Sequence, residues 1–491
     1  MFLFMEIKRS VLLGFATAAV LAAAAAPASA GSADLGDFSL MSEAEQRAAG
    51  VAMGKEAYTY GYPLNEFNLV RKADLKLSAP LNVLANAQQL ATPAAQGVVA
   101  PNTDTLYSLA QIDLGKGPVV LKVPKMDHGL KVPEMDHGLF DPRYWTFEFV
   151  EPYTNVVGYI GSRLDGSAGG TWALEWSGAK SKKALPKGVK RFKSSARRLW
   201  VIGRTLVRGN KDQAKAKKLM AQYRLGTLSA LTAGKGLSKP RNLTPGRPKT
   251  VEPTGLGFID LLNAGMTDDP PPARDAEIVA RMRTFGIGVG LKPSTAGLPA
   301  PVLEGLAAGV DAAAASLPTE ARLPILTQAK ENGGWYNPSP KVGIFGTDYA
   351  MRARVALVGI GINTVEESTY PTALTDSAGE MLNGANSYRM VFKRGKLPPV
   401  KGFWSVTMYD SNGYLVPNAA KIYAVGPDHP GMTTRKDGSV VIVVQRSKPT
   451  EKDVNWLPSP EAGFRLNMRL YVPSKSILNG TWKPPGIEKV G

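Results

Sequence analysis

The stretch Phe464-Arg465-Leu466-Asn467-Met468-Arg469-Leu470-Tyr471-Val472 alternates without a slip. Phe464, Leu466, Met468, Leu470 and Val472 fall on one face; Arg465, Asn467, Arg469 and Tyr471 fall on the other. A period of two is that of a β-strand with one buried face. Upstream, Tyr388–Phe392, Phe403–Tyr409 and Val440–Gln445 are further strand candidates, with turn signals at Asn412-Gly413 and Asp437-Gly438. Antiparallel strands at this spacing predict a jelly-roll-like β-sandwich over 346–491.

Strands also dominate the first half. Leu106–Leu114, Val119–Val123, Tyr144–Val150, Val156–Ile160 and Thr171–Trp176 are short, β-branched or aromatic, and bounded by Gly, Pro and Asp. A helix precedes them. Ser42-Glu43-Ala44-Glu45 is a capping box, and the helix is expected to run to about Arg71, its tail at Tyr58–Pro63 broken by Gly and Pro. Helical patterns return at Leu256–Leu262, Arg274–Phe285, Ala300–Ser316 and Glu320–Asn332. The fold class is therefore α+β. A β-rich N-terminal domain with helices spans 31–235, a linker and helical segment 236–345, and the sandwich follows.

The chain has 491 residues, no cysteine and three histidines. Disulfides, thiolate catalysis and Cys-ligated metal are excluded. Lys8 and Arg9, an apolar run from Val11 to about Ala26, and Pro27-Ala28-Ser29-Ala30 have the order of a secretory signal peptide. Cleavage after Ala30 and a bacterial periplasmic or secreted location are expected, with no transmembrane span left after cleavage.

The net charge is +18, and it is local. Between Lys180 and Lys249 stand 21 Lys and Arg and one acid, Asp212, a surplus larger than that of the whole chain. One reading is a basic surface for an anionic polymer; the plainer one is a solvated helix face, Asp212–Arg224, plus a basic linker. Nucleic acid is not expected, because no series of rings is interleaved with the charge. Lys122–Leu130 and Lys131–Leu139 are a tandem nonapeptide, identical at eight of nine positions. Its Asp127/His128 and Asp136/His137 have the look of metal ligands, but a duplicated loop explains them more simply. No metal and no cofactor are expected.

Ala100-Pro101-Asn102-Thr103-Asp104-Thr105-Leu106-Tyr107-Ser108 resembles the A-P-N-x-D-T-L-Y-S signature of the bacterial domain-of-unknown-function family 1254. Tyr153-Thr154-Asn155, Gly161-Ser162-Arg163 and Val201-Ile202-Gly203-Arg204-Thr205 fit the same family. Tyr370-Pro371-Thr372-Ala373, Phe403-Trp404-Ser405-Val406-Thr407-Met408-Tyr409-Asp410, Asn455-Trp456-Leu457-Pro458 and Gly480-Thr481-Trp482-Lys483-Pro484-Pro485 are similar to its usual companion, family 1214. The resemblance implies a mixed N-terminal domain and a jelly-roll-like sandwich. It supplies no reaction.

Two functions stay open. The first is an exported, metal-independent hydrolase acting on an envelope or extracellular substrate. Asp104 is its candidate catalytic carboxylate in a polar cleft, with Asn102, Thr105 and Tyr107 as ligand-binding neighbours. The plainer reading of the same residues is a structural Asx turn. The second function is non-catalytic binding of a carbohydrate, another polymer or a small ligand, with Trp404 and Trp456 lining an aromatic face beside Trp482. A self-assembling envelope protein, hence a homo-oligomer, is a further alternative. Catalysis requires a second titratable group within hydrogen-bond reach of Asp104.

Overall fold

The computed structural model describes residues 35–95, 99–127, 143–179, 184–244 and 253–490. The expected signal peptide and both nonapeptide histidines, His128 and His137, lie outside them. The first helix, Glu43–Leu77, starts where the capping box places it: Ser42 accepts from the Glu45 backbone N–H, and Glu45 reaches back to Ser42. It does not break at Gly61 and Pro63. An internal proline costs about 3 kcal/mol. Burial of Tyr58, Tyr60, Tyr62 and Phe67 around it offsets this, at roughly 1.5–3 kcal/mol per large apolar side chain. Gly61 supports that packing, because a Cβ there would stand 2.6 Å from Leu262.

The helix crosses a second long one, Ala300–Ala329, at contact distance. The expected pair of helices at 300–316 and 320–332 is one helix through Pro318 and Pro324. Leu317 and Ala321 stay anchored in the protein while Pro318 faces solvent. This is the one helix among the described residues long and apolar enough to cross a membrane by length and composition. Its residues Val302, Leu306, Val310 and Leu317 instead share a core with Met53, Ala57, Phe258 and Leu262. Glycines on both helices set the approach. A Cβ at Gly54 would lie 2.3 Å from the Leu306 carbonyl oxygen, and one at Gly309 would lie 2.2 Å from that of Val51. No rotamer relieves such a clash with backbone. Gly309→Val is therefore expected to cost about 3 kcal/mol or more, read as a fall in the urea midpoint; an unchanged midpoint would mean that the helices are not in contact here.

Two sheets follow. One has six strands in the order 241–242, 85–86, Thr105–Asp113, Arg198–Leu206, Trp145–Val150, Val156–Gly161. The other has four: Val189–Ser194, Gly170–Trp176, Val119–Val123, Arg224–Thr227. Leu106, Ile112, Val119, Leu121, Val123, Trp145, Phe147, Trp172 and Leu174 fill the space between them. The far half of the first helix rests on the six-stranded sheet through Phe67 and Val70 against Val150, Trp200 and Ile202.

The C-terminal region is a two-sheet sandwich. Trp404–Asp410 pairs with Phe464–Tyr471 in one sheet, and Ser387–Phe392 pairs with Val440–Gln445 in the other. Pairing is not wholly antiparallel: Val440–Gln445 runs parallel to Asn455–Pro458. Phe464, Leu466, Met468 and Leu470 enter the shared core with Trp404, Val406, Met390 and Ile442. The other face of this sheet, which carries the polar half of the alternation, does not meet water. It is buried against the N-terminal region, and this seam holds the site.

Candidate functional site

The segment 100–104 lies along the polar face of the strands Trp404–Asp410 and Phe464–Tyr471. Arg469 donates to the Ala100 carbonyl at 2.8 Å, and the Tyr409 hydroxyl donates to that of Pro101 at 2.7 Å. Asn102 donates through Nδ2 to the Tyr471 hydroxyl at 2.9 Å. Its Oδ1 accepts from the Asp104 backbone N–H at 2.7 Å. The Asx turn is thus real, and it belongs to Asn102. The Asp104 side chain is left over for something else.

That carboxylate is 2% exposed and points across the seam. Oδ2 accepts from Ser405 Oγ at 2.8 Å; Oδ1 lies 2.6 Å from His429 Nε2. Strand alternation places the partners. Trp404 and Val406 face the sandwich core, so Ser405 and Thr407 face the seam, and Ser405 stands opposite Arg469 in the register. Arg469 is held by Thr407 Oγ1 at 2.9 Å and Tyr409 OH at 2.6 Å. Burial by itself would raise the Asp104 carboxyl. The hydrogen bond and charge of His429, the Arg469 guanidinium and the Ser405 hydroxyl together hold it below its ordinary value. Beside it, burial pushes Asp428 up to about 6 against the pull of Arg208, 3.2 Å away, and of His429. Two neighbouring carboxyls thus titrate far apart, a pattern frequent at acid–base sites. The His429 side chain is 23% exposed, so the cluster reaches solvent through the imidazole.

The seam continues beyond the cluster. Tyr144 OH donates to Glu367 Oε1 at 2.6 Å, and Arg163 donates to Oε2 of the same residue. Arg204 donates to Glu148 at 2.6 Å, to Asn363 at 3.1 Å and to the Gly361 carbonyl at 2.9 Å. Phe403 stacks on Tyr471 with ring centroids 4.1 Å apart.

Of the residues expected from sequence, Asn102 and Asp104 are brought together. Thr105 is buried in the strand opposite Leu206, its hydroxyl without a partner among the described residues. Tyr107 is half-buried with Arg204 over its ring, 5.7 Å from the centroid. Trp404 does not line an open face, whereas Trp456 is half-buried. Trp404 is 3% exposed, turned into the sandwich core against Phe392, and Trp456 donates its N–H to the Gln445 carbonyl. His429, Ser405 and Arg469 escape a reading of the sequence. Ser405 and Arg469 occupy visibly polar strand faces, but nothing local ties 405, 429 and 469 to 104.

Most of the basic segment's described side chains are exposed, the lysines above all, and only Arg198 and Arg204 are buried; several of its arginines are paired. Arg198 pairs with Asp269, Arg204 with Glu148, Arg208 with Asp428 and Arg191 with Glu175. Asp212, its lone acid, is buried against Arg143 at 2.5 Å. The expected helix over 212–224 ends at Met220, and Tyr223 turns inward to bond Thr205. Exposed Lys190 and Lys193 lie on the edge strand Val189–Ser194, where charge discourages pairing with another chain. Asp127 of the nonapeptide is committed to Arg143 at 2.6 Å. Among the described residues no three His, Asp or Glu side chains gather as a metal cluster would require.

Fold and site together define a two-part α+β protein whose polar cluster is assembled at the seam of its two β-regions. Residues 81–227 match the family described as Protein of unknown function (DUF1254), and residues 367–475 match Protein of unknown function (DUF1214). The chain belongs to the proteins that carry these two domains in this order. The chain is similar in fold to the crystal structure of the VPA0106 protein from Vibrio parahaemolyticus. That match has a TM-score of 0.64 and 22% identity, over 90% of this chain and 100% of that one. A looser likeness, TM-score 0.43 at 10% identity, links 91% of this chain to 95% of an uncharacterized protein from Burkholderia cenocepacia. No curated protein matches the chain.

Proposed function

We propose that the protein is a metal-independent hydrolase in which Asp104 and His429 form a general-base dyad. The observation that supports this is the geometry of the pair: a buried, ionised carboxylate 2.6 Å from Nε2 of a partly exposed imidazole. A carboxylate accepts, so Nε2 carries a proton, and in the neutral imidazole Nδ1 is then the nitrogen with the basic lone pair. Nδ1 takes a proton from water, the hydroxide adds to the electrophilic centre, and the imidazolium returns the proton to the leaving group. Asp104 fixes the tautomer and stabilises the imidazolium. We infer export after cleavage at Ala30, and with it an envelope or extracellular substrate.

One observation favours a second reading. The Ser405 hydroxyl donates to Asp104, which leaves no activated serine nucleophile; a binding protein would use the same cluster only to lock its two halves. A panel of model esters, amides and glycosides separates the readings. Turnover by the purified protein that survives EDTA and is lost in His429→Gln supports the hydrolase. Turnover abolished by EDTA and restored by a divalent metal, or equal turnover in the variant, sinks it.

A further inference from the structure

Trp482 lies after the last long strand of the sandwich, far along the chain from the dyad's Asp104. Its ring walls two adjoining grooves. One, about 130 Å³, is apolar and bounded by residues such as Pro338, Pro371 and Leu478. The other, about 450 Å³, is basic: Lys393, Lys396, Lys483 and Arg389 line it. None of the residues of the Asp104 cluster lines either groove.

The ring is held in place. Its N–H donates to the Lys396 carbonyl at 3.2 Å, its backbone N–H to that of Ser476 at 2.8 Å, and its inner side packs on the sandwich core. Arg389 pairs with Glu451 at 2.5 Å, a carboxylate it shares with Arg435. The three lysines form no ion pair among the described residues, and Lys483 donates to Asn332 at 3.2 Å. Glu488 is the acid in the lining. Three lysines and an indole in one lining, against one carboxylate, suit an anion with a flat apolar face.

We propose that this groove binds an acidic oligosaccharide. The C–H face of a pyranose stacks on Trp482, and its neighbours' carboxylates engage Lys393, Lys396 and Lys483. An open trough lets a chain run through it. The apolar slot behind the ring suits a small substituent such as an acetyl group and is too small for an acyl chain, which argues against a lipid. A single ring offers no series of stacking platforms, which argues against single-stranded nucleic acid.

The test is titration of the full chain with short oligogalacturonates at low salt, followed by tryptophan fluorescence. Neutral dextran oligomers, oligo-dT and phosphatidylglycerol vesicles are run in parallel. Oligogalacturonate is expected to bind, with an affinity that falls as salt screens the lysines. Lys393→Ala/Lys396→Ala should weaken it about ten-fold or more; both lysines are exposed, so the variant folds. Trp482→Phe should weaken it less and Asp104→Asn not at all. Absence of oligogalacturonate binding, indifference to the lysine substitutions, or equal binding of dextran, oligo-dT or vesicles would overturn the proposal.

Discussion

With Asp104 and His429 acting as the proposed general-base dyad, Asp104→Asn is expected to lower turnover by about 10³–10⁴-fold while the protein still folds. The backbone has no reason to change, because the turn at 102–104 is capped by Asn102 Oδ1 and not by the Asp104 side chain. The carboxamide cannot serve both partners as the carboxylate does. If its oxygen stays on Ser405, its NH₂ faces Nε2 and forces the proton onto Nδ1, which removes the base. If it flips, the imidazolium still loses the charge that stabilises it. The stability cost should be about 1–3 kcal/mol, because Arg469 keeps Thr407, Tyr409 and the Ala100 carbonyl. The depressed Asp104 carboxyl also sets a pH signature. Its contribution is complete above the ordinary carboxylate range and is lost as pH falls through the folded-state value, so acid unfolding of the variant should be shallower than that of the wild type. A variant with wild-type turnover would reduce Asp104 to a latch between the two halves.

The sandwich strands are legible because each has one apolar face, and the alternation at 464–470 identifies the core side of the sheet correctly; Val472, past the strand's end, packs in the seam instead. The same pattern misleads at the other face. Arg465, Asn467, Arg469 and Tyr471 look solvated in one dimension, whereas in the fold Arg469 and Tyr471 meet segment 100–104 from over three hundred residues away. Asp104 is legible as a carboxylate in a loop-to-strand turn. Its partners are not, since His429 lies in a loop between strands and Ser405 looks like any strand serine. The start of the first helix is legible from its cap, but the prolines at 63 and 318 are not breaks, because buried neighbours in the same helices outweigh one missing hydrogen bond; the second helix also runs through Pro324, among largely exposed neighbours. Strands Val189–Ser194 and Arg224–Thr227 are hidden by their charge: lysines on an edge strand and a short run after a helix carry little apolar signal.

Removing a charge from the seam should cost more than changing the dyad, and Arg204→Met is the sharpest case. Arg204 is 5% exposed and Glu148 fully buried, with Glu148 Oε1 lacking any partner among the described residues. Burial pushes Glu148 up to about 7 although Arg204 pulls it down; Glu367 adds to the rise. A raised carboxyl binds its proton more tightly in the folded state than in the unfolded one. Its effect therefore lowers stability as pH rises from the ordinary carboxylate range to about 7. Without Arg204 the downward pull is gone, and Glu148 must stay protonated to higher pH or remain a lone buried anion. Breaking such a pair costs about 3–5 kcal/mol, and the loss should grow as pH rises above about 7, so it is larger at about pH 8 than at about pH 5. At about pH 5 Glu148 is already neutral, so the loss shrinks to what Asn363 and the Gly361 carbonyl forfeit. Arg204→Met combined with Glu148→Gln should recover most of the alkaline deficit, because the uncompensated carboxylate is then absent. Urea unfolding of the three proteins at both pH values measures this. Equal losses at the two pH values, or no recovery in the double variant, would show that Arg204 acts through its carbonyl contacts alone.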